Sequence, residues 1–139
     1  MSPTLISGGS QVDNRGSIKY NNDFDATLIK RIYLIENVDT IFVRCWQGHR
    51  IEQRWFTAVA GRFKIELIKV DDWENPSKEL EKITFEISDK NVRVLHVPGG
   101  YISSIQSMIK SSVLLAMSDY KLNEIQDEYK FSQNYFRHN

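Results

Sequence analysis

Apolar and polar positions alternate with period two along most of this chain. Phe63, Ile65 and Leu67 fall on one side and Arg62, Lys64 and Glu66 on the other, as half-buried strands require. Trp55, Thr57 and Val59 share a face just before, and the intervening Ala60-Gly61-Arg62 predicts a tight hairpin. Ile83, Phe85 and Ile87 alternate with Thr84 and Glu86. Residues 29–35, 92–97, 101–105 and 112–117 are further strand candidates, rich in β-branched and aromatic side chains. Turn sequences punctuate them at 13–16, 21–23, 36–39, 88–91 and Pro98-Gly99-Gly100. Residues 71–81 read as a polar loop. Only the tail has a helical period: Leu122, Ile125 and Tyr129 lie at i, i+3 and i+7 among polar residues, predicting a short C-terminal helix. Residues 1–12, small and polar with a Gly pair, read as an arm before a single domain over 13–139. Many short strands and almost no helix predict an all-β sandwich or barrel.

At 139 residues the chain has room for one real core. Lys plus Arg equals Asp plus Glu, at 18 each, so no global charge favours nucleic acid. A single cysteine, Cys45, excludes an intrachain disulfide and a cysteine-based zinc site. No apolar run reaches membrane-spanning length and no signal-like segment opens the chain, which predicts a cytoplasmic protein without a membrane partner.

Chemistry concentrates in residues 43–56. An apolar strand there takes on Arg44, Cys45, Trp46, Gln47, His49, Gln53 and Arg54 within a dozen positions. Strand alternation predicts Cys45, Gln47 and His49 on one face. Such a face builds a site, or it satisfies a buried histidine near a strand end. Cys45 and His49 are about 13 Å apart along an extended strand, too far for a thiol–imidazole pair. Cys45 therefore reads as a buried, inert thiol.

Two stretches resemble the cupin frame: Gln47-Gly48-His49 followed by Gln53 and Gly61, and Pro98-Gly99-Gly100-Tyr101-Ile102-Ser103. The metal-ligand positions of that frame fall on Gln47, His49, Gln53 and Ser103. One imidazole, two carboxamides and a hydroxyl make a poor transition-metal set, so neither metal nor other cofactor is expected. Asp13-Asn14-Arg15-Gly16, Lys30-Arg31-Ile32-Tyr33, Val97-Pro98-Gly99-Gly100, Ser112-Val113-Leu114-Leu115-Ala116 and Asp119-Tyr120 follow in the order seen in the deoxysugar-nucleotide cupins. Over roughly 13–136 the chain resembles the dTDP-sugar 3,4-ketoisomerases and the dTDP-4-dehydrorhamnose 3,5-epimerases.

That resemblance implies a jelly-roll cupin barrel, a homodimer, and a nucleotide-diphosphate sugar as ligand. It implies an isomerase or epimerase acting beside the keto group of an NDP-4-keto-deoxysugar in surface-polysaccharide biosynthesis. Arg15 and Arg44 match the diphosphate arginines. The ketoisomerase His-x-His pair falls on Gln47 and His49, and the epimerase base also falls on Gln47. The epimerase acid tyrosine falls near Leu114, while Tyr33 lies close to a functional tyrosine of the ketoisomerases. The implied set is thus His49 and Tyr33 as catalytic groups, with Arg15, Arg44, Gln47, Gln53 and Ser103 on the substrate. A carboxamide cannot act as a general base. Either His49 carries the proton, or the domain is a non-catalytic sugar- or nucleotide-sugar-binding cupin.

Overall fold

The computed structural model describes residues 1–137; His138, expected in the terminal tail, lies outside them. Among the described residues twelve strands form: β1 (Thr4–Ile6), β2 (Gly9–Asp13), β3 (Gly16–Tyr20), β4 (Arg31–Ile35), β5 (Val43–His49), β6 (Arg54–Ala60), β7 (Arg62–Lys69), β8 (Ile83–Ser88), β9 (Val94–Val97), β10 (Tyr101–Ser107), β11 (Val113–Ser118) and β12 (Glu128–Lys130). Sheet I runs β1-β9-β6-β11-β4 and sheet II runs β12-β5-β10-β7-β8, with every neighbouring pair antiparallel. The all-β, cupin-like expectation holds, but the sheets face one another as two layers and do not close into a barrel.

Alternation explains the layers. Phe56 and Ala58 of β6, Leu114 and Ala116 of β11 and Leu95 and Val97 of β9 point inward from sheet I. Phe63, Ile65 and Leu67 of β7 meet them from sheet II with Tyr101 and Ile105 of β10. Phe56, Phe63, Ile65, Leu67 and Leu114 are wholly inaccessible to solvent, and burial of each such side chain is worth about 1.5–3 kcal/mol.

Gly61 does not turn a hairpin as the alternation implied. It marks a corner where the chain leaves sheet I on β6 and enters sheet II on β7. Its φ is +74°, and a Cβ there would lie 2.1 Å from the Ser112 hydroxyl, so glycine alone fits both the turn and the close approach.

The C-terminal helix is absent. Asn123 sits at φ +63°, a left-handed conformation that ends helical progress and that asparagine tolerates. Tyr129 then pairs with Gly48 on β12. Beyond it Phe131, Tyr135 and Phe136 fold over the outer face of sheet II and bury Trp46, Ile68 and Ile102. These long-range apolar contacts outweigh a weak local period.

Residues 1–12 carry β1 and most of β2. Thr4–Ile6 extends sheet I by pairing with β9, and β2 and β3 form a separate two-stranded hairpin that crosses the boundary placed after residue 12. Val12 and Ile18 on that hairpin are exposed. Among the described residues no helix is long and apolar enough to cross a membrane.

Candidate functional site

A β-bulge shapes the site. Ser103 pairs with Gln47 but Ile105 pairs with Arg44, so two steps on β10 oppose three on β5. The extra residue turns Arg44 to the inner face beside Gln47 and His49. Cys45 goes instead to the outer cluster with Trp46 and Ile68. Strict alternation had placed Cys45 with Gln47 and His49, and the bulge is the reason it fails. Burial and the nearby Glu66 carboxylate push the Cys45 thiol up, which keeps it protonated and unreactive.

Arg44, Gln47 and His49 line a cavity of about 160 Å³ together with Tyr33 and Ile35 of β4, Arg54 of β6, and Ser103 and Ile105 of β10. Sites that enclose a drug-sized ligand measure about 300–1,000 Å³. This one is smaller, with room for about one ring. Five of the seven residues implied by the resemblance therefore meet: Tyr33, Arg44, Gln47, His49 and Ser103.

Two do not. Arg15 sits at the tip of the β2–β3 hairpin, where its guanidinium pairs with Asp13 at 2.7 Å and remains largely exposed. Gln53 turns away from the cavity. Its backbone N–H and side-chain amide donate to Asp119 at 2.9 and 3.2 Å, and its carbonyl accepts from His96 Nε2 at 2.7 Å. His96 is stacked on Trp55 with ring centres 4.9 Å apart.

His49 is firmly oriented. Its Nδ1 lies 3.0 Å from the Asp127 carbonyl; a carbonyl only accepts, so Nδ1 carries the hydrogen and Nε2 the lone pair. Nε2 faces the Glu52 carboxyl group at 3.4 Å. Burial first, then the Arg54 charge, lowers the His49 pKa to about 4. Burial raises that of Glu52, opposed by a hydrogen bond from Ser118 and the charge of Arg54.

Arg54, Glu52 and Asp127 were missed in the sequence. Arg54 is 5% exposed, and burial lowers its pKa against the opposing influence of Tyr33 and Glu52. It donates from Nη2 to the Ser103 hydroxyl at 3.3 Å. Asp127, equally buried, accepts from the backbone N–H groups of Arg50, Ile51 and Glu52 at 3.1, 2.7 and 2.8 Å. Gly99 presses on the same loop, since a Cβ there would stand 2.5 Å from the Ile51 carbonyl. An apolar tail with polar spacers gives no hint of a carboxylate that reaches back to residues 50–52. Arg54 alone left a trace, as an arginine leading into an apolar strand.

A metal does not fit this donor set. Gln53 is committed to Asp119 and His96, Ser103 accepts from a guanidinium, and Gln47 donates its amide to Glu128. A cation placed on Ser103 would sit against Arg54, so no step is routed through one.

Around the cavity, Arg44 Nε donates to Asn37 Oδ1 at 3.2 Å while Asn37 donates to the Ile105 carbonyl at 3.0 Å. Arg31 lies 4.4 Å over the Tyr33 ring. The arrangement offers an oriented imidazole, a phenol and two guanidinium groups around a space one ring wide. It suits proton transfer on an anionic, oxygen-rich ligand.

No family model matches the sequence and no curated protein matches it. Solved structures do. A complex of a variant of a 3,4-ketoisomerase from Thermoanaerobacterium thermosaccharolyticum with TDP-4-keto-6-deoxyglucose has a TM-score of 0.70 at 24% identity, over 96% of this chain and 91% of that one. The dTDP-4-dehydrorhamnose 3,5-epimerase from Sulfolobus tokodaii gives 0.75 at 16% identity, over 99% and 81%. A TDP-quinovose 3,4-ketoisomerase from Campylobacter jejuni gives 0.66 at 17%, over 98% of each chain. The chain thus has the fold of the sugar-nucleotide ketoisomerases and epimerases, the same group that its motifs resemble.

Proposed function

We propose that this protein is a sugar-nucleotide isomerase that moves a proton beside the keto group of an NDP-4-keto-deoxysugar. The observation that carries the reading is the fixed His49 imidazole, its tautomer set by Asp127, in a one-ring cavity edged by Arg44 and Tyr33. The ring enters the cavity and the diphosphate stays at its rim with Arg44, whose planar guanidinium suits phosphate oxygens.

In the reaction, His49 Nε2 takes a proton from the carbon next to the ketone. The C–H electron pair moves into the enolate. The hydroxyl proton of that carbon crosses to the former carbonyl oxygen, with Tyr33 placed to relay it. Return of a proton to the neighbouring carbon completes the isomerisation without another reactant. Gln47 contributes hydrogen bonds to the sugar and no proton transfer.

The protein acts as a homodimer in the cytoplasm, in the supply of sugars for surface polysaccharide. The exposed apolar residues of the β2–β3 hairpin support a two-fold contact, which would also give Arg15 a neighbour's pocket to serve.

Incubation with dTDP-4-keto-6-deoxyglucose in heavy water tests the reading. Deuterium should enter at a carbon beside the keto group, His49→Asn should abolish exchange with nucleotide binding retained, and Cys45→Ser should change little. Binding without any exchange would favour a non-catalytic nucleotide-sugar-binding domain. That second reading is favoured by Gln47, which stands where these enzymes carry an imidazole.

A further inference from the structure

Gln47 stands half-buried on β5 in the wall of the cavity. Its side-chain Nε2 donates to the carboxylate of Glu128 on β12, the edge strand paired with β5. A carboxylate only accepts, so the contact decides which end of the carboxamide is which. The nitrogen turns to β12, and the oxygen is left over. The rest of the wall is rich in donors. Arg44 and Arg54 can only donate. The Ser103 hydroxyl is used twice, accepting from Arg54 Nη2 at 3.3 Å and donating to the Gln47 backbone carbonyl at 3.2 Å. The Tyr33 hydroxyl can do either. Among the described residues that line the cavity, Gln47 therefore supplies the one side-chain oxygen that only accepts.

We propose that Glu128 is a positioning residue for Gln47, and that the carboxamide oxygen it turns to the cavity selects a sugar ring with a free hydroxyl at C2. The inference rests on the nucleotide-sugar reading of the cavity but not on turnover. On a 4-keto-6-deoxy ring, C1 holds the diphosphate and C5 the methyl group. The oxygens on C3 and C4 exchange a proton in the proposed reaction and need donors or a relay. The C2 hydroxyl is the group left to donate.

Strand geometry brings that hydroxyl to the right side chain. Gln47 and His49 are two residues apart on one face of β5, opposite Ser103 and Tyr101 in unbroken register, and so about 7 Å apart along the strand. A ring whose C3–H meets His49 presents its neighbouring C2 substituent to Gln47. An imidazole at position 47 could donate or accept according to its tautomer, whereas a carboxamide held by Glu128 cannot switch. A hydroxyl completes the hydrogen bonding of the oxygen. A fluorine there sets two acceptors against each other, and the ligand loses affinity.

Calorimetric titration of the intact protein with dTDP-6-deoxyglucose and with its 2-deoxy-2-fluoro analogue tests this. Neither ligand carries the ketone that turnover needs. The unmodified protein should bind the hydroxyl ligand about ten- to a hundredfold more tightly. Gln47→Ala should bring the two within threefold. Glu128→Lys places a donor where the carboxylate stood, which turns the carboxamide round and shows an N–H to the fluorine. It too should bring the ligands within threefold, a change in preference that mere loosening of β12 would not cause. In the ligand-free protein the two Gln47 side-chain amide protons should resonate far apart and draw together in Glu128→Ala. Equal binding of the two ligands by the unmodified protein, or a preference that survives Glu128→Lys, would overturn the proposal. Failure to bind dTDP at all would reject the nucleotide-sugar reading and this inference with it. A hydroxyl preference in a protein that never exchanges hydrogen of dTDP-4-keto-6-deoxyglucose would uphold the selection and reject the isomerase reading alone.

Discussion

The guanidinium of Arg54 donates to the hydroxyl of Ser103 across the gap between the two sheets, at 3.3 Å. Arg54 belongs to β6 of sheet I and Ser103 to β10 of sheet II, so one hydrogen bond spans the layers beneath the cavity. It also sets a positive charge near His49, the second cause of that residue's low pKa. Arg54→Met keeps most of the volume and removes the charge. The expected outcome is an upward move of the His49 transition, read by nitrogen chemical shifts across a pH series.

Arg44 holds the diphosphate in the proposed complex, and Asn37 holds Arg44 through the 3.2 Å contact. Charge-assisted hydrogen bonds are worth about 1.5–3 kcal/mol. Arg44→Ala should therefore weaken dTDP binding by about ten- to a hundredfold. Asn37→Ala should weaken it by a smaller factor, since the arginine stays but loses its guide. Calorimetric titration of both variants gives the comparison. Equal losses would mean Asn37 contacts the ligand itself.

The donor set around Ser103 is unsuited to a transition metal. Protein purified without chelator should contain well under one zinc, iron, manganese or nickel per chain by elemental analysis. Exposure to a chelator should leave both exchange activity and thermal stability unchanged. One bound metal per chain would contradict the reading of Gln47, Gln53 and Ser103.

Acid should act on this site through two opposed groups. The His49 pKa in the folded chain is about 4, below its ordinary value of 6.5. Between those limits the unfolded chain binds a proton that the native chain refuses, so stability falls as pH drops from 6.5 toward 4. Glu52 has a raised pKa and the opposite sign. Its native form keeps a proton that the unfolded chain releases, which favours folding as pH falls. Glu52→Gln removes that compensation. The variant should lose about 2 kcal/mol between pH 7 and pH 4.5, more steeply than the parent protein. Urea unfolding at the two pH values measures the difference.

The β2–β3 hairpin carries the assembly prediction. Light scattering at micromolar concentration should give a dimer. Charged substitution of Val12 and Ile18, exposed by 75% and 64%, should shift it toward monomer without unfolding the sandwich. A monomeric parent protein would remove the dimer from the account.

The strands were legible because their pattern is redundant. Phe63, Ile65 and Leu67 can face only one way, and the same holds for Ile83, Phe85 and Ile87. The motif residues of β5 and β10 were legible too, and the fold brings Tyr33, Arg44, Gln47, His49 and Ser103 to one cavity. What escaped was decided by pairing partners far along the chain. No local pattern announces that β5 gains a residue against β10, so Cys45 was put on the face that Arg44 takes. The spacing of Leu122, Ile125 and Tyr129 fits a helix as well as a loop, and contacts with the 50–52 loop and β5 choose the loop. Gly61 reads as a hairpin turn from its neighbours, yet only the sheet order shows it to be a corner.

Asp127 reaches back 75 residues or more to the backbone of the 50–52 loop and to His49. Chain order thereby acquires a meaning in time. A nascent chain that has emerged only as far as β11 already holds both sheets except for the edge strand β12, and the apolar residues between them. It has no acceptor for the three loop N–H groups and nothing to fix the imidazole tautomer. The scaffold can form while synthesis is still under way, but the reactive centre is assembled last. Proteins cut short after β11 would have a loose, unset histidine and would also bare Trp46, Ile68 and Ile102, which the missing Phe131, Tyr135 and Phe136 cover.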